Sequence, residues 1–335
     1  MTSIKSLNVL FTSVGRRVEL LRAFKKAYAD LGLTGNIVAV DIDPLAPALQ
    51  EADCPYIVPR LSEPSYIPIL AEICRREQVH LIFPLIDPDI LVLARYRQEL
   101  EATGARVVVV SQEAAITTAD KWLTYQFFCK LGVPTPVSWL PEEARNANLR
   151  YPVFIKPRFG NAGKQAFKVC NDRELAFFLD YVPEPIVQEY LPGPEITNDV
   201  ICDFEGNVLA VVSRQRIEVR WGEVAKGKTI YDSEIIHHCV AIARGLKAIG
   251  PITVQCMLRD GKPYFTEINA RFGGGVPLGI AAGVHSPHWF LALAAGLPVE
   301  IPPLGSYKVG LYITRFDDSF FLTEEDYARI ASCRL

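Results

Sequence analysis

The first 110 or so residues alternate between short apolar runs and amphipathic segments, and this alternation restricts the fold more than any other feature. The runs "LNVLFT", "NIVAVD", "HLIFPL" and "ARVVVV" have the length and composition of buried strands. Between them, "RRVELLRAFKKAYADLG", "SYIPILAEICRREQV" and "DILVLARYRQELEATG" repeat apolar residues at helical spacing. Strands that alternate with helices form a parallel sheet covered by helices. The sequence therefore predicts an N-terminal α/β domain of the doubly wound kind over residues 1–115.

From Asp120 onward the pattern changes to α+β. "DKWLTYQFFCKLG" predicts one helix, and "YPVFIKP", "KQAFKVC", "ITNDVICDF" and "VLAVVSRQRIEV" read as strands. "PITVQCMLRDGKPYFTEIN" predicts a hairpin that turns at Asp260 and Gly261. We expect a second unit over residues 116–300, a small lid subdomain at about 150–187, and a C-terminal segment at 301–335 that returns to the core.

Charge and cysteine content exclude several classes of function. The formal net charge is −3, from 35 basic and 38 acidic residues, and there is no long basic block, which argues against nucleic-acid or membrane-surface partners. No apolar run approaches ~18 residues, and the arginines at 16 and 17 follow the N-terminal apolar stretch, the wrong order for a signal peptide. The eight cysteines form no CxxC pair. We expect a cytoplasmic protein.

The segment "YFTEINARFGGG", Tyr264–Gly275, carries polar side chains at every second position. On a strand, Glu267, Asn269 and Arg271 share one face. Gln255 lies on the opposite arm of the predicted hairpin. Carboxylate and amide oxygens suit Mg²⁺, which leaves other positions to phosphate and water. A solvent-facing strand with alternating polar residues is the other interpretation of this segment.

Two further segments are compatible with nucleotide binding. "VFIKPRFGNAGKQAF" ends a strand at Lys156 and continues into a glycine-bearing loop, where backbone N–H groups near Gly160 and Gly163 can approach phosphate oxygens. It is neither a Walker loop nor GxGxxG, and an ordinary hairpin loop is the alternative. In "VQEYLPGPEITNDV", a strand runs into a turn whose backbone would face a nucleobase, with Glu195 on the ribose or simply exposed.

Taken in order, these segments resemble the ATP-grasp superfamily, in particular the branch similar to the carbamoyl-phosphate synthase large subunit. The succession begins with Asp120 and Lys121 at the start of a helix that ends "LGVPTP", and continues with "IKPRFGNAGK", "QEYLPGPE", and Gln255 with "TEINARFGGG". The resemblance covers roughly residues 1–300 and makes the N-terminal unit a pre-ATP-grasp domain. The sequence has one grasp unit and no second copy, so two sequential phosphorylations are not expected.

The resemblance implies ATP and Mg²⁺ (or Mn²⁺) as cofactors. Lys121 and Lys156 would contact the α- and β-phosphates, the loop at 158–164 would close over them, and residues 188–191 would lie beside adenine. The implied ATP-binding residues are Lys121, Lys156, Arg158, Gly160, Asn161, Gly163, Lys164, Gln188, Glu189, Tyr190, Leu191 and Glu195.

The same resemblance assigns the polar strand to catalysis. Glu267 and Asn269, helped by Gln255, would hold the metal, and Arg271 would steady the transferred phosphoryl group. The implied catalytic residues are Arg271, Lys156 and Asn269.

Substrate contacts are predicted at two other places. Gly15 and Arg16 join the first strand to its helix, a position that attracts anions, although an exposed basic helix start is equally compatible. Residues 219–231 are polar, and we expect part of this segment to be a mobile loop contacting phosphate or acceptor. The remaining substrate candidates are Arg214, Lys228, Gly273 and Gly274, whereas Asp41, Asp43, Asp87 and Asp89 fit capping and turn roles.

The expected activity is an ATP-dependent ligase. It would activate a substrate carboxylate as an acyl phosphate and couple it to an amine or another nucleophile, and a homodimer is expected from the resemblance alone. Two other classes stay open. A nucleotide-dependent oxidoreductase fits the N-terminal half and Asp41, but GxGxxG is missing after the first strand. A non-catalytic ATP-binding regulatory module on the same fold would not need the metal and arginine face.

Overall fold

The N-terminal region is a parallel sheet, as the sequence predicted, and it has five strands. The computed structural model describes residues 6–160, 163, 165–220 and 222–335. The strand order is β3-β2-β1-β4-β5, and every neighbouring pair is parallel. The strands are β1 (Asn8–Thr12), β2 (Ile37–Asp41), β3 (Cys54–Ile57), β4 (Val79–Pro84) and β5 (Arg106–Val107).

Strand β3 was not predicted, because "CPYI" is short and contains a proline. Pro55 lies on an edge strand, where a missing N–H breaks no ladder hydrogen bond. The segment predicted as one helix after β4 is two, because Tyr96 leaves helical dihedrals with φ −100° and ψ 19°. The helices that cover the sheet are α1 (Val18–Leu31), α2 (Tyr66–Arg76), α3 (Asp87–Arg95) and α4 (Arg97–Glu101), with a 3₁₀ turn at Pro47–Glu51.

Two helices, α5 (Gln112–Ala119) and α6 (Lys121–Leu131), lead into the second half. Asp120 caps α6, since its Oδ1 accepts a hydrogen bond from the Trp122 backbone N–H at 2.9 Å. Gly132 ends α6 in the left-handed conformation with φ 66°, as the sequence predicted.

A four-stranded sheet in the order β6-β9-β7-β8 forms a small layer with its own core, built on Val153, Ile155 and Leu179. The glycine-bearing loop connects β7 to β8. The elements of this layer are β6 (Ser138–Trp139), α7 (Pro141–Asn146), β7 (Val153–Pro157), β8 (Phe167–Val169), α8 (Asp172–Tyr181) and β9 (Pro185–Glu189).

The central sheet has six antiparallel strands in the order β14-β13-β10-β11-β12-β15. Its members are β10 (Glu195–Cys202), β11 (Val208–Arg220), β12 (Glu223–Ile230), β13 (Pro251–Arg259), β14 (Lys262–Asn269) and β15 (Tyr312–Thr314). The hairpin of β13 and β14 was predicted correctly.

Most of the segment 219–231, part of which was expected to be a mobile loop, is β-strand. β12 pairs with β11 over its whole length and buries Val224, Ala225 and Thr229. The polar residues that suggested a loop occupy the other positions of a half-buried strand.

Four helices complete the chain: α9 (Ser233–Leu246), α10 (Val276–Ala281), α11 (Ser286–Ala295) and α12 (Glu324–Ala331). The last segment returns to the fold, as β15 pairs with β12 and the Ile57 backbone N–H donates to the Cys333 carbonyl at 2.7 Å. Within the described ranges, no helix combines the length and apolar character needed to cross a membrane.

A cluster of aromatic rings packs between the parallel sheet and the end of the central sheet. Phe83 of β4 packs on Phe272, which follows β14, with ring centroids 5.5 Å apart, and on Phe290 of α11 at 5.2 Å. All three rings are buried. This packing fixes the residues after β4 against those after β14, where the candidate site lies.

Candidate active site

A cavity of about 790 Å³ lies between the small sheet and the central sheet, and most of the predicted ATP and metal residues line it. It is bounded by the ends of β7 and β9, the start of β10, and the β13–β14 hairpin. The predicted residues on its wall are Lys121, Lys156, Gly160, Gly163, Gln188, Glu189, Tyr190, Leu191, Glu195, Gln255, Glu267, Asn269 and Arg271.

Two lysines, Lys121 and Lys156, line this large cavity. Lys121 begins α6, and its Nζ donates to the Gly160 carbonyl at 2.7 Å. Lys156, on β7, has its pKa lowered to about 8 because burial disfavours the ammonium form; Glu267 opposes this shift and Lys121 adds to it. Lysines placed in this way supply point charges for a polyphosphate.

The predicted phosphate loop is only partly described. Arg158 is held by Asp120 through two hydrogen bonds of 2.7 and 2.6 Å, and it is not among the residues on the cavity wall. Because Asp120 also caps α6, this pair fixes the base of the loop to the helix that carries Lys121. Asn161 and Lys164 lie outside the described residues.

Another part of the wall of the large cavity is apolar. Phe154, Leu191 and Met257 contribute carbon surface next to the polar backbone of residues 188–193. Such a surface suits a planar base, with hydrogen bonds to backbone groups. Gln188 is buried, and its Nε2 donates to Ser138 Oγ at 2.9 Å. Glu195 accepts from Arg216 at 2.5 Å.

The predicted metal ligands lie together on the hairpin. Gln255 and Glu267 are directly opposite each other across β13 and β14. The hydrogen bonds favour the Asn269 amide orientation in which its nitrogen donates to Asp87 Oδ1 at 3.0 Å and to Glu267 Oε1 at 3.2 Å. No group of three or more His, Cys, Asp or Glu side chains suited to a metal occurs among the described residues. One carboxylate with two amide oxygens fits Mg²⁺, which takes its remaining ligands from phosphate and water.

Arg271 is paired with a carboxylate from the N-terminal sheet. Its Nη2 donates to Asp87 Oδ2 at 2.8 Å and its Nη1 donates to the Phe272 carbonyl at 3.1 Å. Its Nε is buried without a hydrogen-bond partner in the described structure. The sequence favoured capping for Asp87, yet its side chain caps no helix. Its position just after β4, at the carboxyl end of a parallel strand, was the signal that could have identified it.

A second cavity of about 210 Å³ adjoins the first and shares Asp87, Gln255, Asn269 and Arg271 with it. The substrate candidates Arg214, Gly273 and Gly274 line it. Arg214 is almost fully buried, and its Nε and Nη2 each donate to Asp199 at 2.7 Å. Sequence reasoning missed Arg17, which lies on the wall where its neighbour Arg16 was expected.

The three glycines after Arg271 make room for these guanidinium groups. A Cβ on Gly275 would lie 2.0 Å from Arg214 Nη1, and a Cβ on Gly274 would lie 2.5 Å from Arg17 Nη1. The glycines are therefore required for close approach between the loop backbone and two arginines.

Three substrate candidates lie outside both cavities. The Gly15 N–H donates to Asp41 at 2.8 Å, which gives Asp41 the turn role that the sequence favoured. Arg16 is exposed and pairs with Asp317 at 3.7 Å. Lys228 projects over the Tyr312 ring, 6.0 Å from its centroid. Neither cavity wall includes them, and their substrate role stays a prediction.

Comparison with known protein families agrees with this geometry. Residues 9–108 match the family described as PylC-like, N-terminal domain, and residues 118–275 match the ATP-grasp domain. The prediction of an ATP-grasp protein is confirmed, as is that of a parallel-sheet domain followed by an α+β grasp.

Three solved structures illustrate the shared fold. The biotin carboxylase domain dimer of Hydrogenobacter thermophilus 2-oxoglutarate carboxylase, in complex with MgADP, ADP and bicarbonate, has a TM-score of 0.73 and 19% identity, covering 93% of this chain and 74% of that one. N5-carboxyaminoimidazole synthetase from Staphylococcus aureus, complexed with ADP, has a TM-score of 0.72 and 14% identity, covering 92% and 82%. L-amino acid ligase from Bacillus licheniformis has a TM-score of 0.68 and 18% identity, covering 88% and 75%.

These identities are low, so the likeness concerns the fold. Use of ATP and Mg²⁺ is typical of ATP-grasp enzymes, in line with the nucleotides in two of these structures. The chain therefore joins a PylC-like N-terminal domain to an ATP-grasp domain.

Proposed function

We propose that this protein is an ATP-dependent ligase that activates a substrate carboxylate as an acyl phosphate and couples it to an amine. The observation that carries the proposal is the convergence of Lys156, Glu267, Asn269 and Arg271 on one cavity. A module that only binds nucleotide needs the lysines and the apolar end, but it does not need an arginine and metal ligands at the far end of the phosphates.

The reaction is a phosphoryl transfer followed by an acyl transfer. A carboxylate oxygen attacks the γ-phosphorus, the bond between the γ-phosphorus and the β–γ bridging oxygen breaks, and ADP leaves. The amine then attacks the carbonyl carbon, the bond from that carbon to the phosphate oxygen breaks, and phosphate leaves with the electron pair while the amine loses a proton. Charge compensation and positioning dominate such chemistry.

The chain's own residues supply most of this compensation. Lys121 and Lys156 would bind the phosphates, and Arg271 would face the transferred group with the Nε that has no partner in the described structure. Glu267, Asn269 and Gln255 would hold Mg²⁺, which when bound neutralises phosphate charge. Closure of the 158–164 loop would exclude water, because an acyl phosphate hydrolyses readily.

The domain boundaries, the location and the oligomeric state of the protein remain predictions. The domain boundaries near residues 115 and 300, the cytoplasmic location and the homodimer have the support of the sequence pattern and the resemblance alone. A relative described as a dimer makes the oligomeric state worth measuring by light scattering.

The test is ADP release from MgATP with and without pooled small carboxylic acids and amines. We expect ADP and phosphate to form in equal amounts only when an acid is present, and Glu267→Gln to abolish this release. Nucleotide binding without release under any pool would favour the non-catalytic regulatory module instead. A Glu267→Gln variant that turned over ATP normally would contradict the metal assignment.

A further inference from the structure

The small cavity lies where a substrate carboxylate would have to stand. It shares Asn269 and Arg271 with the large cavity, so its contents face the metal ligands and the arginine proposed to steady the transferred phosphoryl group. Its volume of about 210 Å³ corresponds to roughly seven water molecules at their share of liquid volume. That space accommodates a short-chain acid.

Arginines, two of which (Arg214 and Arg216) are paired with Asp199 and Glu195, are the most numerous charged residues on the wall of this cavity. Four guanidinium groups line it, those of Arg17, Arg214, Arg216 and Arg271, against the two carboxylates of Asp87 and Glu223. Both carboxylates are already engaged. Asp87 accepts from Arg271 and Asn269, and Glu223 pairs with Arg17 at 3.1 Å and with Arg315 at 3.3 Å. Each of these four carboxylate oxygens therefore already has one partner within the protein.

Hydrogen-bond donors on the wall of the small cavity, in contrast, remain available to a ligand. A guanidinium has five N–H donors, and Glu223 is the ion-pair partner found for Arg17 in the described parts of the chain. Thr197 lines the same cavity, and its Oγ1 is buried without a hydrogen-bond partner in those parts, with only 6% of the residue exposed. Buried polar atoms without partners are rare in native proteins, and a missing ligand is one explanation for them.

Repulsion between cations points in the same direction. The Arg17 pKa is lowered to about 10, first by burial and further by Arg271 and Arg315, although Glu223 opposes the shift. A second anion beside Arg17 would relieve this repulsion.

We propose that the small cavity binds a short-chain substrate with two acidic groups. One carboxylate lies beside Arg271 and is phosphorylated, and the other is held by Arg17. This inference rests on the ligase function proposed above and assigns its carboxylate substrate to the diacid class. Arg17 comes from the junction of β1 and α1, so the N-terminal sheet would select the substrate for the grasp domain.

The test is direct binding, measured by calorimetry in the presence of Mg²⁺ and a non-hydrolysable ATP analogue. Succinate and glutarate are compared with their monoamides, succinamate and glutaramate, which keep length and lose one charge. We expect a diacid to bind at least about tenfold more tightly than its monoamide, as expected for the loss of one charge-assisted contact. Arg17→Gln should weaken the diacid by a similar factor and leave the monoamide unchanged.

Arg22→Gln is the matched control. Arg22 lies on the same helix, pairs with Glu51 at 2.9 Å and lines neither cavity. Equal binding of diacids and monoamides, no binding of either, or diacid binding that Arg17→Gln leaves unchanged would overturn the inference. Diacid binding that depends on Arg17 but supports no ADP release would uphold the inference about the cavity and contradict the ligase function.

Discussion

Asp87 and Arg271, 184 positions apart in sequence, are joined by a hydrogen-bonded ion pair of 2.8 Å. Asp87 follows β4 of the parallel sheet and Arg271 follows β14 of the grasp. The contact between Phe83 and Phe272, immediately beneath, fixes both loops. The N-terminal domain therefore contributes directly to the geometry of the phosphoryl-transfer end of the site.

Removing the Asp87 charge should reduce turnover and leave nucleotide binding intact. Asp87→Asn weakens the hydrogen bond that orients Arg271, and a charge-assisted hydrogen bond is worth about 1.5–3 kcal/mol. We expect kcat to fall by about 10- to 100-fold, with the Kd for ATP within about twofold of wild type. Steady-state ADP release and calorimetry give the two numbers. Asp43→Asn, in an exposed turn, is the control; equal effects of both variants would exclude a positioning role for Asp87.

ATP affinity should depend on pH through Lys156. In the free protein this lysine loses its proton as pH rises through about 8, and phosphates bind the charged form. Above pH 8, ATP binding therefore requires that Lys156 take up a proton. The slope of log Kd for ATP against pH should approach one there. Titrations between pH 6.5 and 9.5 measure this slope. Lys156→Arg keeps its charge over that range and should flatten the profile; a step that persists in this variant would assign the titration to another group.

A methyl group on Gly275 should destabilise the fold. The added Cβ would lie 2.0 Å from Arg214 Nη1, so the buried pair of Arg214 and Asp199 must shift. Overpacking of this kind costs about 1–3 kcal/mol. Denaturant unfolding measures the loss. Gly279→Ala, in α10, is the matched control, because its Cβ meets only ordinary contacts and alanine favours a helix by up to ~1 kcal/mol. A Gly275→Ala protein as stable as wild type would mean that the loop does not need its close packing.

Stability should also change with the protonation of Asp89. This carboxyl is fully buried and bonded to Thr12 and Ser13, and burial raises its pKa to about 7, well above that of an unfolded aspartate. The folded state therefore keeps the Asp89 proton to higher pH than the unfolded state does. Protonation of Asp89 stabilises the fold at low pH, and this stabilisation is lost as pH rises through about 7. At its steepest, the free energy of unfolding falls by about 1.4 kcal/mol per pH unit. Comparing wild type with Asp89→Asn between pH 4 and 8 isolates it; parallel curves for the two proteins would refute the assignment.

The sequence patterns predicted the parts of the fold that depend on local periodicity. The parallel sheet, the β13–β14 hairpin and the end of α6 at Gly132 were all predicted, because helical spacing, strand alternation and turn residues are properties of neighbouring positions. Part of β12 was expected to be a mobile loop, since the segment carries Lys226, Lys228 and Gly227, whereas its identity as a strand depends on pairing with β11. Long-range pairing of this kind leaves no local periodicity.

The same distinction applies to the site. Glu267, Asn269 and Gln255 share one strand pair, so their proximity was deducible from spacing. Asp87 and Arg17 reach the site from the N-terminal domain, and their roles depend on how two sheets pack. Arg17 lines the small cavity and Arg16 does not, because the two side chains point in different directions at the start of α1. The sequence pattern does not specify these directions.

The most direct test of carboxylate activation by this protein is to trap the acyl phosphate. The protein is incubated with MgATP, a carboxylic acid that supports ADP release, and hydroxylamine in place of the amine. We expect the hydroxamate of that acid to form in amounts equal to ADP, and Arg271→Ala to abolish both products. ADP release without any hydroxamate would contradict activation of a carboxylate by this site.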